Sequence, residues 1–255
     1  MPGHSTWFTF LLAGMRDNLS RNAQLIGDSI INGHPPTWMS FEPIVAALFV
    51  AAVVLVLAIV ARRRLIRLDD MVIPDDRLTL RTFMEIFLGY FYDLAKSMMG
   101  AERAKRYFPV IGASAIFVFF SNVMALLPGM PVATSNLNIT LGCALVVFVL
   151  FNFYGLKVNG WNYIKHLAGP AWYLAWLVLP IELISLCVRP ITLSVRLMLN
   201  MSVDHLILGI FVSLLALVIP VPLMVLGCLI VLIQTLVFTL LTTIYISLAT
   251  EHEHH

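Results

Sequence analysis

Residues 182–205 read ELISLCVRPITLSVRLMLNMSVDH, and they decide how the rest of the chain is understood. The stretch lies in the most apolar part of a very apolar sequence, yet it carries Glu182, Arg189, Arg196, Asn200, Asp204 and His205. Placing an ionisable group in hydrocarbon costs between ~2.5 and ~17 kcal/mol, depending on how far water reaches it. Five ionisable side chains within 24 residues therefore require a partner, a path for water or a task. Glu182, Arg189 and Arg196 are each seven residues apart, which is about two helical turns, so they fall on one stripe that drifts ~20° per step. Asn200 follows Arg196 by four and joins that face, and Asp204 and His205 extend it. The stripe is about 35 Å long at 1.5 Å per residue. The charge-free part of this segment, residues 171–181, is too short for an ordinary span, so a strongly tilted helix is favoured over an upright one.

Several of these residues have a plain structural reading. Glu182 could pair with Arg189, although seven residues is long for a direct bond. Arg189 could snorkel to head groups. Asp204 and His205 could end a helix at the far interface. Arg196 is harder to dismiss, because it is at least seven residues from any acid and its guanidinium does not deprotonate. A fixed charge without an internal partner points to a carboxylate on another subunit.

Outward from this stretch the chain reads as a membrane protein. Of 255 residues, 60% are hydrophobic and 12% charged, against roughly 25% charged in soluble domains. The mean hydropathy is +0.92, and several apolar runs have the length of a span. The formal net charge of +2 identifies no partner, and nothing suggests a nucleic acid. Cys143, Cys187 and Cys228 are far apart in apolar runs, as expected of small buried hydrophobes, and no metal-ligand spacing or Gly-rich phosphate loop occurs. No cofactor is expected.

The expected fold class is all-α: about five membrane-embedded helices plus one amphipathic interfacial helix, the last two long and inclined. Residues 1–41 form an extramembrane segment with a short amphipathic helix around 5–25, and residues 42–255 form one membrane domain. Within that domain, residues 42–62 are the first span, with the charge-free run Pro43–Ala61 followed at once by Arg62, Arg63, Arg64 and Arg67. Residues 66–106 are a cytoplasmic amphipathic segment. It opens at Pro74-Asp75-Asp76, and Leu80, Phe83, Met84, Phe87, Leu88, Phe91, Leu94 and Ala95 recur at three- and four-residue steps. Residues 107–156 are a helical hairpin, with spans from Tyr107 and from about Leu137 joined by a loop that carries no Lys or Arg. Residues 171–219 and 223–250 are the two long helices, divided at Pro220-Val221-Pro222; no charge occurs from Leu206 to Thr250. Of the 16 Lys and Arg, 12 lie in segments 62–106 and 157–165, which places those segments and the C-terminus in the cytoplasm and the N-terminus outside. Arg189 and Arg196 stand apart from that topological bias. The histidines of the EHEHH tail read as a solvated end.

LSVRLMLNM at 193–201 resembles the signature run of subunit a of F-type ATP synthases. FSNVMALLPG (120–129) with TSNLNITL (134–141) resembles that family's hairpin turn, residues 157–170 ending in YIKHLAGP its cytoplasmic loop, and LIQTLVFTLLTTIYIS (232–247) its last helix. The resemblance runs in order over roughly residues 70–250. It implies a non-catalytic, proton-translocating stator subunit of a bacterial inner-membrane ATP synthase. Its implied partners are a c-ring, the peripheral stalk subunit b and the rest of the synthase, all set in the lipid bilayer. By resemblance, Arg196 matches the arginine that faces the rotating c-ring carboxylate, and Asn200 and Gln234 match polar positions beside it. Glu182 and Arg189 match an acidic and a basic position, and Asp204-His205 matches the pair that lines one aqueous half-channel, Glu182 being a further candidate there. The chain departs from the pattern at Gly227, where some members place a His or Glu that pairs with the second residue of that pair; Asp204 is the acid available instead. A secondary ion-coupled transporter is the alternative, but the inverted repeats it predicts are not seen. A membrane enzyme using Asp204 with His205 is disfavoured because adjacent residues on a helix do not face each other.

Overall fold

The computed structural model describes residues 14, 18, 42–65, 80–126, 134, 136–160, 175–214 and 220–250. Every regular element among these long segments is helical: α1 (Glu42–Leu65), α2 (Leu80–Met99), α3 (Ala101–Ala125), α4 (Leu137–Asn159), α5 (Ala175–Leu214) and α6 (Pro220–Ala249). Five of them, all but α2, are long and apolar enough to cross a membrane. The expected helix at 5–25, the helix start at Pro74, the loop at 129–135 and most of 157–170 fall wholly or mainly outside the described residues.

Helix α1 is apolar on all sides and buries little beyond Ala46 and Val50, leaving Leu48, Leu55, Val56 and Ile59 exposed. Such a helix satisfies its own backbone hydrogen bonds, which is the condition for lying in lipid. Helix α2 is the amphipathic element. Met84, Phe91, Ala95 and Met99 are buried, while Glu85, Asp93 and Lys96 are exposed. The Phe87 ring meets Phe91 edge-on at 5.0 Å and Phe119 of α3 at a tilt at 4.9 Å, so the apolar face of α2 lies against the bundle. Gly100 joins the two helices at φ 81° and ψ 163°, a backbone region that essentially only glycine enters. This single residue makes the turn, so α3 resumes at Ala101 and takes in Arg103, Lys105 and Arg106, rather than starting at Tyr107.

Helices α3 and α4 meet locally, Tyr107 against Tyr154 with ring centres 4.9 Å apart. Their far ends are tied by Thr134 Oγ1, which donates to Asn122 Oδ1 at 3.1 Å. Asn136 caps α4 by accepting from the backbone N–H of Asn138. At the opposite end Asn159 Nδ2 donates to the carbonyl of Ala249, closing the last turn of α6.

Helix α5 has 40 residues and α6 has 30. At 1.5 Å per residue they are about 60 and 45 Å long, against a hydrocarbon layer of about 30 Å, so each must incline or project beyond it. Pro220 is the first residue of α6 and Pro222 lies in its first turn, where the missing N–H groups would have no intrahelical acceptor. The core gathers where α2, α3, α4, α5 and α6 meet, around Tyr107, Ile111, Val118, Phe151, Leu193, Leu197, Phe238 and Ile246. Helix α6 enters it with buried Thr235, Thr239, Thr242 and Thr243, whose hydroxyls each donate to the carbonyl four residues earlier. The hydroxyls are thereby satisfied within the helix, and a small side chain is left at the seam. Cys187 and Cys228 are exposed rather than buried, because they sit on the outward apolar faces of α5 and α6; Cys143 is half-buried.

Candidate functional site: the seam between the last two helices

Helices α5 and α6 run antiparallel, and contacts at three levels fix their register. In the middle, Asn200 Nδ2 donates to Gln234 Oε1 at 2.8 Å. Eleven residues back along α5 is Arg189, and eleven forward along α6 is Tyr245. Eleven residues are about three turns, so both recur on the same face. The guanidinium carbon of Arg189 lies 5.4 Å from the centre of the Tyr245 ring. Toward the other end, the carboxylate of Asp204 lies against Gly227: a Cβ on that glycine would stand 3.0 Å from Asp204 Oδ2 and 2.8 Å from Leu126 Cδ2. A side chain at 227 would therefore displace both groups. The glycine that leaves His205 without the partner expected by resemblance is what makes room for Asp204.

The site residues expected from the sequence distribute along this seam. Glu182 pairs with Arg189, Oε1 to Nη2 at 3.7 Å, so seven residues is not too far for two long side chains on one stripe. The structure does not bring Glu182 to Asp204: the two are 22 residues apart on one helix, about 33 Å. Glu182 thus belongs with Arg189 at the α5 start, and Asp204 with Gly227 towards the other end. His205 is on α5 directly after Asp204. Arg196 is exposed, between the two levels, and among the described residues no hydrogen bond or ion pair reaches it. Around it the outward face of α5 is apolar, with Ile191, Leu199 and Val203 exposed, and Leu229, Leu232 and Ile233 exposed on α6.

Behind the seam lies a buried polar layer. Gln234 is 3% exposed, Ser121 1% and Asn122 0%, and Gln234 Nε2, Asn122 Nδ2 and Ser121 Oγ have no partner among the described residues. Leu126 touches the Gly227 level, so Asn122 lies one turn deeper on α3, in the direction of Val231 and Gln234 on α6. Buried donors of this kind are ordinarily satisfied by protein or ordered water. Sequence reasoning missed Tyr245, Asn122 and Leu126 as parts of the site. Tyr245 was legible in principle from the shared eleven-residue step; the role of Asn122 was not, because only the packing of α3 on α6 buries it.

These observations define a class: an all-helical, polytopic membrane protein with a long helix pair that carries polar and charged groups through an apolar bundle. The description "ATP synthase A chain" fits a family model matching residues 44–247. The chain is 56% identical over the full length of both proteins to an ATP synthase subunit a of Sorangium cellulosum. It is 44% identical over 175 residues, 69% of this chain and 74% of the relative, to an ATP synthase subunit a 1 of Syntrophotalea carbinolica. It is 36% identical over 212 residues, 82% of this chain and 92% of the relative, to an ATP synthase subunit a of Bdellovibrio bacteriovorus. The chain belongs to the ATP synthase subunit a family.

Proposed function

We propose that this chain is the proton-translocating stator subunit of an F-type ATP synthase, forming two half-channels against a c-ring. The observation that carries the reading is Arg196: a permanent cation, exposed on an apolar face of a membrane helix, with no partner on the described part of its own chain. A rotor carboxylate presented by the c-ring supplies the missing charge. The exposed Leu199, Val203, Leu232 and Ile233 form the apolar surface along which the ring slides. Asp204 and His205 belong to the half-channel open to the outside, and Glu182 with Arg189 to the one open to the cytoplasm. Asn200 and Gln234 hold the wall between them. A proton taken up on the Asp204 side neutralises a ring carboxylate, which then enters lipid. After nearly a full turn that carboxylate reaches the Glu182 side and releases the proton. Arg196 attracts each returning carboxylate, and its fixed charge bars protons from passing directly between the half-channels. One charge crossing 100 mV yields ~2.3 kcal/mol, too little for one ATP, so crossings must be summed through a rotor.

The orientation follows the positive flanks: the C-terminus and the α2 segment are cytoplasmic, the N-terminus is outside, and the membrane is the bacterial inner membrane. The peripheral stalk, subunit b included, holds the chain against rotation. Cross-linking tests the interface. A cysteine at Leu199 should form a disulfide, under mild oxidant, with a cysteine placed one turn from the rotor carboxylate. A cysteine at Leu145, exposed on α4, should not. Equal yields from both positions would count against this surface.

A further inference from the structure

Arg189 is held in two directions at once. Its Nη2 is 3.7 Å from Glu182 Oε1 on its own helix, and its guanidinium carbon is 5.4 Å from the ring centre of Tyr245 on α6. The Tyr245 ring is itself backed by Phe151 of α4, centre to centre 5.8 Å, so it is not free to swing away from the seam. Phe151 is fully buried, which makes that backing rigid. A planar guanidinium can offer its face to an aromatic ring while its edge forms an ion pair with a carboxylate; a lysine ammonium has no such face. The Arg189 side chain is 27% exposed and that of Glu182 41%. Tyr245 is four residues from the last residue of α6, Ala249, so the pair sits near one end of the seam, and a long arginine near a membrane boundary otherwise turns outward.

We propose that Tyr245 is a positioning residue of the half-channel at the α5 start. Its ring keeps Arg189 turned into the seam, and Arg189 in turn keeps the Glu182 carboxylate at the channel mouth. This rests on the proton-channel reading above. Without the ring, Arg189 swings to the head groups and draws Glu182 with it, and proton exchange between the seam and the cytoplasm slows in either direction. The register supports a built contact: the Arg189–Tyr245 level repeats the Asn200–Gln234 level three turns away on both helices.

The test uses the complete reconstituted synthase with Tyr245→Phe, Tyr245→Leu, Arg189→Gln and the double variant Arg189→Gln/Tyr245→Leu, reading the initial rate of ATP-driven proton pumping at equal amounts of assembled complex. Tyr245→Phe keeps the ring and should pump as the unaltered protein does. Tyr245→Leu should lose pumping about three- to tenfold, the scale of one cation–π contact in a partly dry site. Arg189→Gln should lose a similar factor, and adding Tyr245→Leu to it should cost nothing more, because both act through one contact. If Tyr245 only packs against Phe151, Tyr245→Leu will lose the same factor in both backgrounds, and that result overturns the proposal, as does normal pumping by Tyr245→Leu. If Tyr245→Leu no longer co-purifies with the c-ring, the longer and more adaptable Tyr245→Met is read by the same criteria. Arg196→Ala in the same preparation separates the two levels of inference. Normal pumping there would remove the channel reading itself, whereas additive losses at 189 and 245 with a dead Arg196→Ala remove only the role of Tyr245.

Discussion

At the scale of single residues, the decisive pair is Asp204 and Gly227. Resemblance alone marked position 227 as the place where an expected partner is missing. The packing gives that position a use, since the Asp204 carboxylate occupies the space a side chain would fill. Gly227→Ala is therefore expected to push Asp204 and Leu126 aside. Overpacking of this kind costs about 1–3 kcal/mol, and proton pumping in the assembled complex should fall several-fold while the protein still co-purifies with the proposed c-ring. An unchanged pumping rate would mean that the position of Asp204 is unimportant. Arg196 was legible from sequence because no acid lies within seven residues of it. Glu182 was only half legible. The seven-residue stripe placed it correctly on the face of Arg189, but spacing on one helix says nothing about which end of a channel a group serves. Only the length of α5, unbroken from Ala175 to Leu214, separates Glu182 from Asp204.

At the scale of elements, hydropathy was enough to find the five long apolar helices among the described residues, because lipid admits few structures other than helices with satisfied backbones. The starts of helices were less legible where one glycine made the turn: Gly100 allows α3 to begin six residues before the apolar run that announced it. The threonine stripe of α6 was hidden for another reason. Buried hydroxyls look unfavourable in an apolar core until their bonds to the preceding turn are seen. Thr239→Val should accordingly be tolerated, with less than about 1 kcal/mol lost, since the hydroxyl holds no neighbouring helix. Thr239→Phe should break the seam between α6 and the helices around it and lower the melting temperature in detergent by many degrees. Thermal unfolding followed by circular dichroism distinguishes the two outcomes.

At the scale of the whole molecule, five long apolar helices form a bundle among the described residues; apart from charges near helix ends such as Glu42, Glu102, Arg103, Lys105, Arg106 and Lys157, its charged groups lie on α5, and no bilayer-facing role explains the exposed Arg196. The proposed topology carries its own test. A cysteine at Asn136, where α4 begins, should react with a membrane-impermeant maleimide added outside intact cells, and one at Gly160, beyond the other end of α4, only from the cytoplasmic side. The reverse pattern would invert the two half-channels without altering the fold. The central claim is that Arg196 couples proton movement to a rotor, and ATP-driven proton pumping by reconstituted Arg196→Ala complex tests it most directly. The account expects pumping to be abolished while passive proton leak is retained or raised; normal pumping by that variant would contradict it.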